Sequence, residues 1–260
     1  MRETERPKAA VQSIERAAAI LRSFSEAEPE LGVTELSQRL GLHKSTVSRM
    51  IATLQREGLV GQNPETGKYR LGVGLVSLAG VALGRINVRG AAQPYLDDLV
   101  QETQETVTVD ILAGTLCLIV EQKESPQPVR YVSWIGRRFP LHCTASGKVF
   151  LAALPEDEQA ALLAFPLQKY TAHTITSYDV FQATLKEVAT NGYATTLEEY
   201  ELGFCAVSVP LFDHAGNVVG AIAVSGPSFR LSKTRFIQFV PCLQQTAAAI
   251  SAELGYTGSF

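Results

Sequence analysis

VTELSQRLGLHKSTVSRMIATLQREGLV, residues 33–60, holds two short helical patterns divided by one glycine. Thr34 suits the N-cap of the first, because its hydroxyl can accept from the open backbone N–H groups of a helix start. That helix runs to Leu40, and Gly41 ends it, since glycine tolerates the left-handed conformation that follows a helix. The second starts at Lys44 and reaches Glu57, with Val47, Met50, Ile51 and Leu54 on one face and Gly58 as its stop. Two short helices around a tight glycine turn are the signature of a helix-turn-helix. Working outward, residues 59–62 and 68–71 read as short strands around the turn cluster Asn63-Pro64-Glu65-Thr66-Gly67. A hairpin directly after a recognition helix is a wing. Before the pair, residues 11–24 repeat apolar side chains at helical spacing, and residues 25–31 form an acidic loop.

Beyond the wing, residues 72–85 are helical in pattern and rich in Leu, Val and Ala, which suits a linker helix. Residues 91–105 form an amphipathic helix. Strands follow at 106–113 and 116–122 around Gly114-Thr115, with a third at 129–135. Helices are expected at 146–154, 156–164 and 177–191, and strands at 193–199, 205–212 and 218–225. A long helix closes the chain over 232–254, and Pro241 is the point at which it would kink. The class is α+β, with helices on one side of a mostly antiparallel sheet. The domains are expected at 1–72 for the winged helix-turn-helix, 73–86 for the linker helix and 87–260 for the larger domain.

The 260 residues carry a net charge of −3, unevenly spread. Residues 1–85 hold 12 basic and 9 acidic residues, and the remainder 11 and 17. A mildly basic head on an acidic body fits a protein whose N-terminal part alone meets nucleic acid. No apolar run approaches the roughly 18 residues of a membrane span, and the charged start is no secretory signal. The four cysteines show no paired spacing, so free thiols in a cytoplasmic protein are expected. No cofactor and no metal site is indicated. The histidines at 43, 142, 173 and 214 have no ligand spacing with the acidic Glu198, Glu199 and Glu201, which read as a solvated edge. His142-Cys143 is not a nucleophile pair, because sequence neighbours in an extended segment point to opposite faces. Ala145-Ser146-Gly147-Lys148 fails as a phosphate loop, with His142 at the first glycine position and Val149 after the lysine.

The N-terminal part of the second helix offers Lys44, Ser45, Thr46, Ser48 and Arg49 to a major groove, and Thr34 lies at the start of the helix before it. A solvated polar face would carry the same residues. Thr66, Lys68, Tyr69 and Arg70 of the wing are placed for phosphate or minor-groove contact, or make a plain exposed hairpin.

Several motifs in order carry a resemblance. Val11-Gln12-Ser13-Ile14-Glu15-Arg16-Ala17, Leu42-His43-Lys44-Ser45-Thr46-Val47-Ser48-Arg49 and Pro64-Glu65-Thr66-Gly67-Lys68-Tyr69-Arg70-Leu71-Gly72 resemble the IclR family of bacterial transcriptional regulators. So do Gly136-Arg137-Arg138-Phe139-Pro140-Leu141-His142, Gly192-Tyr193-Ala194, Pro210-Leu211-Phe212-Asp213 and Val224-Ser225-Gly226-Pro227. The resemblance implies a GAF-like effector-binding domain after the linker and a homodimer or dimer of dimers on a double-stranded DNA operator. It also implies a small-molecule effector, an organic acid or an aromatic compound, and no membrane partner. The implied effector residues are Ala145, Ser146 and Gly147 at one wall, then Thr196, Phe204, Ala206, Ala223 and Ser225, with Tyr131 closing one side. Cys205-Ala206 stands where relatives carry Arg-Cys, which makes the pocket less polar. Ordinary core residues would have the same composition. Two rivals remain: a C-terminal domain that only dimerises, and an enzyme that carries a helix-turn-helix.

Overall fold

The computed structural model describes residues 11–25, 27–83, 87–130 and 134–258. The chain divides into two compact units, residues 1–85 and 86–260.

In the first unit, α1 (Gln12–Arg22), α2 (Val33–Leu40) and α3 (Lys44–Arg56) precede the hairpin of β1 (Val60–Gln62) and β2 (Tyr69–Leu71). Ile20, Leu36, Val47, Ile51 and Leu54 bury one stripe of each helix into a common core with Phe24, Leu31 and Val60. Gly41 takes φ +62° at the end of α2, as the turn requires. The cap of α2 differs from expectation. Gly32 is the N-cap, and Thr34 sits exposed one residue inside the helix. Glu35 takes over the capping, its carboxylate accepting from the Gly32 N–H at 2.6 Å. Leu31 and Tyr69 exchange backbone hydrogen bonds at 2.9 Å and fasten the wing to the loop before α2. Then α4 (Gly74–Leu83) begins. Val73, Val76 and Leu78 around its start are 83, 71 and 59% exposed.

The second unit opens with α5 (Asn87–Thr103) and the hairpin of β3 (Thr106–Ala113) and β4 (Leu116–Lys123). β5 (Arg138–Pro140), α6 (Ala145–Ala152), α7 (Glu156–Leu162) and α8 (Tyr178–Asn191) follow. β6 (Ala194–Leu197), β7 (Phe204–Phe212), β8 (Val218–Pro227) and α9 (Lys233–Glu253) complete it. The six strands form one sheet in the order β5-β4-β3-β8-β7-β6, with every neighbouring pair antiparallel. Of the expected third strand at 129–135, the described residues 129, 130, 134 and 135 are in no strand. The edge position beside β4 is taken by β5, because Gly136 at φ +85° turns the chain so that Leu116–Leu118 pair with Arg138–Pro140. Tyr131 to Ser133 lie outside the described residues.

Helices cover both faces, not one. Val107, Val109, Val207, Ile222 and Val224 pack against α5 and α9. On the other face, Cys117, Ile119, Phe204, Ala206 and Ala221 pack against α6 and α8. Thr106, Thr108 and Asp110 alternate with the valines of β3 and look like a wetted face. All three are buried, Asp110 beneath α6 through Ser146 and Thr106 through the Ser125 N–H that it accepts from.

Gly72 and Gly74 are fixed by close approach. A Cβ on Gly72 would lie 2.3 Å from the Gly58 carbonyl oxygen, and one on Gly74 2.7 Å from the same atom. Gly72→Ala should therefore lower the stability of the first unit by about 1–3 kcal/mol, the usual cost of overpacking, as read by denaturant unfolding. An unchanged midpoint would show that the chain after β2 does not approach the Gly58 carbonyl this closely.

Candidate functional site

Two surfaces carry chemistry, one in each unit. On α3 the N-cap is His43, whose Nδ1 accepts from the Ser45 N–H at 3.3 Å. Lys44, Ser45, Ser48 and Arg49 are exposed and Thr46 is half-buried, while Val47 and Ile51 on the opposite face are fully buried. The polar face is therefore held at a fixed angle by the core beneath it. In the wing, Arg70 is exposed. Lys68 pairs with Glu35 at 2.9 Å, and the Thr66 hydroxyl donates to Glu30 at 2.9 Å. Tyr69 is half-buried against the core. Arg16, absent from the expected set, joins Thr46, Arg49 and Thr53 along an open groove between α1 and α3. Its position depends on packing between helices, which local sequence does not reveal.

The second surface is a pocket between α6 and the sheet, about 40 Å³ in volume. That is room for roughly three water molecules. Six of the expected effector residues line it together: Ala145, Ser146, Phe204, Ala206, Ala223 and Ser225. Two do not. Gly147 packs outward against the preceding turn, where a Cβ would lie 2.2 Å from the Leu141 carbonyl oxygen. Thr196 is fully buried and spends its hydroxyl on the Cys143 carbonyl at 3.0 Å. Tyr131 falls outside the described residues. The sequence reading missed Thr108, Asp110, Cys117, Ile119, Trp134, Phe139 and Thr144, which also line the pocket. Trp134 lies 5.5 Å from the Phe139 ring and 5.2 Å from Phe204.

Asp110 is buried beneath the start of α6. Its Oδ2 accepts from the Ser146 hydroxyl, which lies 3.0 Å from Ser208 Oγ. Its Oδ1 has no hydrogen-bond partner, and neither has Ser225 Oγ. Burial pushes the Asp110 carboxyl from 3.8 up to about 6, against the pull of hydrogen bonds from Ser146 and Thr108.

α6 is seated by a second buried charge. Lys148, 2% exposed, donates to Glu199 Oε1 at 2.5 Å and to the Thr195 carbonyl at 3.0 Å. Glu199 is thus no part of a solvated acidic edge, since pairing with Lys148 draws it inside. Glu198 does stay near the surface, accepting from the Gly203 N–H at 2.9 Å. Among the described residues no group of three or more His, Cys, Asp or Glu could hold a metal ion. His142 and Cys143 lie in a turn rather than in an extended segment. The His142 ring bonds the Gln168 carbonyl at 2.8 Å, and burial pushes the Cys143 thiol up to about 12. A thiol so held is no nucleophile at neutral pH.

Two predictions follow from these buried charges. Asp110 has its pKa raised on folding, so the native state pays for its ionisation as pH climbs from about 4 to 6, and the cost persists above that. Asp110→Asn should be more stable than the parent by about 2–3 kcal/mol at pH 7.5 and show no such advantage at pH 3.5. Urea melts at both pH values read the difference, and an equal effect at both would place the carboxyl in water. Lys148→Ala should cost about 3–5 kcal/mol by leaving Glu199 buried and unpaired, and Lys148→Ala/Glu199→Ala should lose less than the sum of the single changes. Additive losses would dissolve the pair as a unit.

Comparisons with known proteins identify both units. Residues 13–64 match the family model described as the IclR helix-turn-helix domain, and residues 80–252 the one described as bacterial transcriptional regulator IclR C-terminal. The HTH-type transcriptional regulator XynR of Escherichia coli (strain K12) is 38% identical over 247 residues, 95% of this chain and 98% of that protein. The crystal structure of the Thermotoga maritima IclR superposes with a TM-score of 0.78 at 29% identity, over 94% of this chain and 99% of that one. An IclR homologue from Microbacterium hydrocarbonoxydans, solved in complex with 4-hydroxybenzoate, gives a TM-score of 0.82 over 94% of this chain and 99% of that one. At 22% identity that last likeness speaks for the fold alone. The relatives are transcriptional regulators, not enzymes.

Proposed function

The chain belongs to the IclR family of bacterial transcriptional regulators, and from that premise we propose that it is a cytoplasmic, ligand-responsive regulator of a catabolic or metabolic operon. It binds a double-stranded operator through α3 and the wing, and it senses a small organic acid or aromatic compound in the pocket under α6. The observation that carries the reading is the α3 face. Four exposed polar or basic residues, Lys44, Ser45, Ser48 and Arg49, stand on a helix whose other side is locked into the core. A recognition helix needs that combination, because base contacts require a fixed angle of entry to the groove. In this reading Lys44 and Arg70 neutralise phosphate, and Ser45, Thr46, Ser48 and Arg49 meet base edges.

The exposed apolar side chains Val73, Val76 and Leu78 supply a surface for a second copy of the chain, which supports a homodimer or dimer of dimers on a two-fold operator. The aromatic side chains of the pocket support an effector with an aromatic body. Effector binding shifts the population between a DNA-competent and a less competent arrangement through α4.

Fluorescence anisotropy with DNA from upstream of the gene, against scrambled DNA over a salt series, tests the reading. The upstream fragment should be preferred by roughly a thousandfold or more. Lys44→Ala should weaken both fragments in parallel and flatten the slope of log K against log salt by about 0.9. Arg49→Ala should cut the preference itself by about 1–3 kcal/mol. No binding to either fragment at low salt would sink the regulator reading.

A further inference from the structure

The pocket holds an acceptor at a helix start. The start of α6, with its open N–H groups and partial positive charge, is the natural place for a ligand carboxylate. Here the protein supplies its own carboxylate there. Asp110 from β3 reaches the first turn of α6 and takes the Ser146 hydroxyl. No Lys, Arg or His lines the pocket among the described residues, so a second carboxylate would meet Asp110 with no cation to offset it.

Of the buried polar atoms without partners, two line this pocket, Asp110 Oδ1 and Ser225 Oγ. They stand at opposite ends of the pocket floor. Asp110 pairs across the sheet with Ala221, and Ser225 lies four residues farther along β8. That is about 13 Å at the usual strand rise. A hydrogen bond of roughly 3 Å at each end leaves about 7 Å for whatever lies between. Between them the walls are mainly apolar, with Ile119, Phe204, Ala206, Ala223, Trp134 and Phe139, and Thr108 stands on the floor beside Asp110.

Building on the effector-pocket reading, we propose that this pocket selects an uncharged, flat ligand with polar groups at both ends, one of them a hydroxyl that donates to Asp110. Asp110 is then the residue that sets specificity. It demands a hydrogen-bond donor from the ligand and excludes a carboxylate at that end. The ligand's other end bonds Ser225, and its ring lies among the aromatic side chains. A pocket of about 40 Å³ is too small for a ring, so entry displaces Trp134 and its neighbours.

Trp134 is the single tryptophan of the chain, so its fluorescence reports on this pocket alone. The full-length protein is titrated with three probes: 4-hydroxybenzyl alcohol, its dimethyl ether 1-methoxy-4-(methoxymethyl)benzene, and benzene-1,4-dicarboxylate. Calorimetry is run alongside. The diol should bind most tightly. Its dimethyl ether, which lacks a donor at either end and so cannot donate to Asp110 in either orientation, should bind roughly ten- to a hundredfold more weakly, the range for a lost hydrogen bond to a charged group. The dicarboxylate should bind worst. Asp110→Ala should abolish the discrimination between diol and ether, and Asp110→Asn, which keeps the volume and an acceptor oxygen, should restore part of it. Ser225→Ala should weaken diol and ether equally. Tighter binding of the dicarboxylate, a preference for the diol that survives Asp110→Ala, or no binding of any probe to the folded protein would overturn the proposal. Operator anisotropy on the same samples separates the two ideas. DNA binding without probe binding overturns the ligand class and leaves the regulator standing. Probe binding without DNA binding does the reverse.

Discussion

The ammonium of Lys148 is the pin on which the larger unit turns. It is buried in the second turn of α6, and it reaches out of its own helix to Glu199 and to the Thr195 backbone. A lysine goes into a protein interior only when its charge is met. Once it is met, α6 can sit at one distance from β6 and at one rotation about its axis. Gly147 then has to be glycine, since the turn carrying Leu141 presses on it. The same rotation aims Ser146 inward at Asp110 and Ser208. Thr144 caps the helix through the Gly147 N–H and donates to the Pro140 carbonyl, which ties the start of α6 to β5. The pocket and the helix start are held together by the seat that this buried ion pair gives α6.

The sheet beneath is unequal on its two faces. Toward α5 and α9 it presents chiefly valine, isoleucine and leucine, with Glu121 of β4 buried and paired to Arg89 of α5 at 2.8 Å. Toward α6 it presents Thr106, Thr108, Asp110, Ser208 and Ser225 among small apolar residues. Such a face costs stability unless every polar atom is satisfied. The hydroxyls of Thr106 and Ser208 have partners inside the protein, the first accepting from the Ser125 N–H and the second donating to the Ile222 carbonyl. Asp110 Oδ1 and Ser225 Oγ have none. Two polar atoms left unpartnered in one cavity fit a site kept for a ligand.

In the first unit the same economy appears at smaller scale. Glu30 and Glu35, from the loop before α2 and from α2 itself, hold the wing through Asn63, Thr66 and Lys68. Hydrogen bonds from Asn63 and Thr66 keep Glu30 below the usual carboxylate range, and the Gly32 N–H does the same for Glu35. These contacts are exposed and individually weak. Together with the Leu31–Tyr69 backbone pair they set the wing beside α2, leaving Arg70 free and Lys68 already engaged.

By itself the sequence determined whatever is encoded within a few residues. The Gly41 turn, the amphipathic stripe of α3, the wing turn at 63–67 and the hairpin around Gly114 were all legible, because glycine geometry and apolar spacing act locally. Six pocket residues were reachable through family motifs. Asp110 and Trp134 were not. A strand that alternates Thr, Val, Thr, Val, Asp reads the same whether its polar side meets water or a sealed cavity, since the period of two is identical. The helix that covers that side arrives from residues 145–152, and nothing near β3 announces it. The Lys148–Glu199 pair spans 51 residues and brings together two charges that each look solvent-facing alone. Only the tertiary structure decided which polar face was inside, because burial is a property of what packs on a residue and not of the residue's neighbours in the chain.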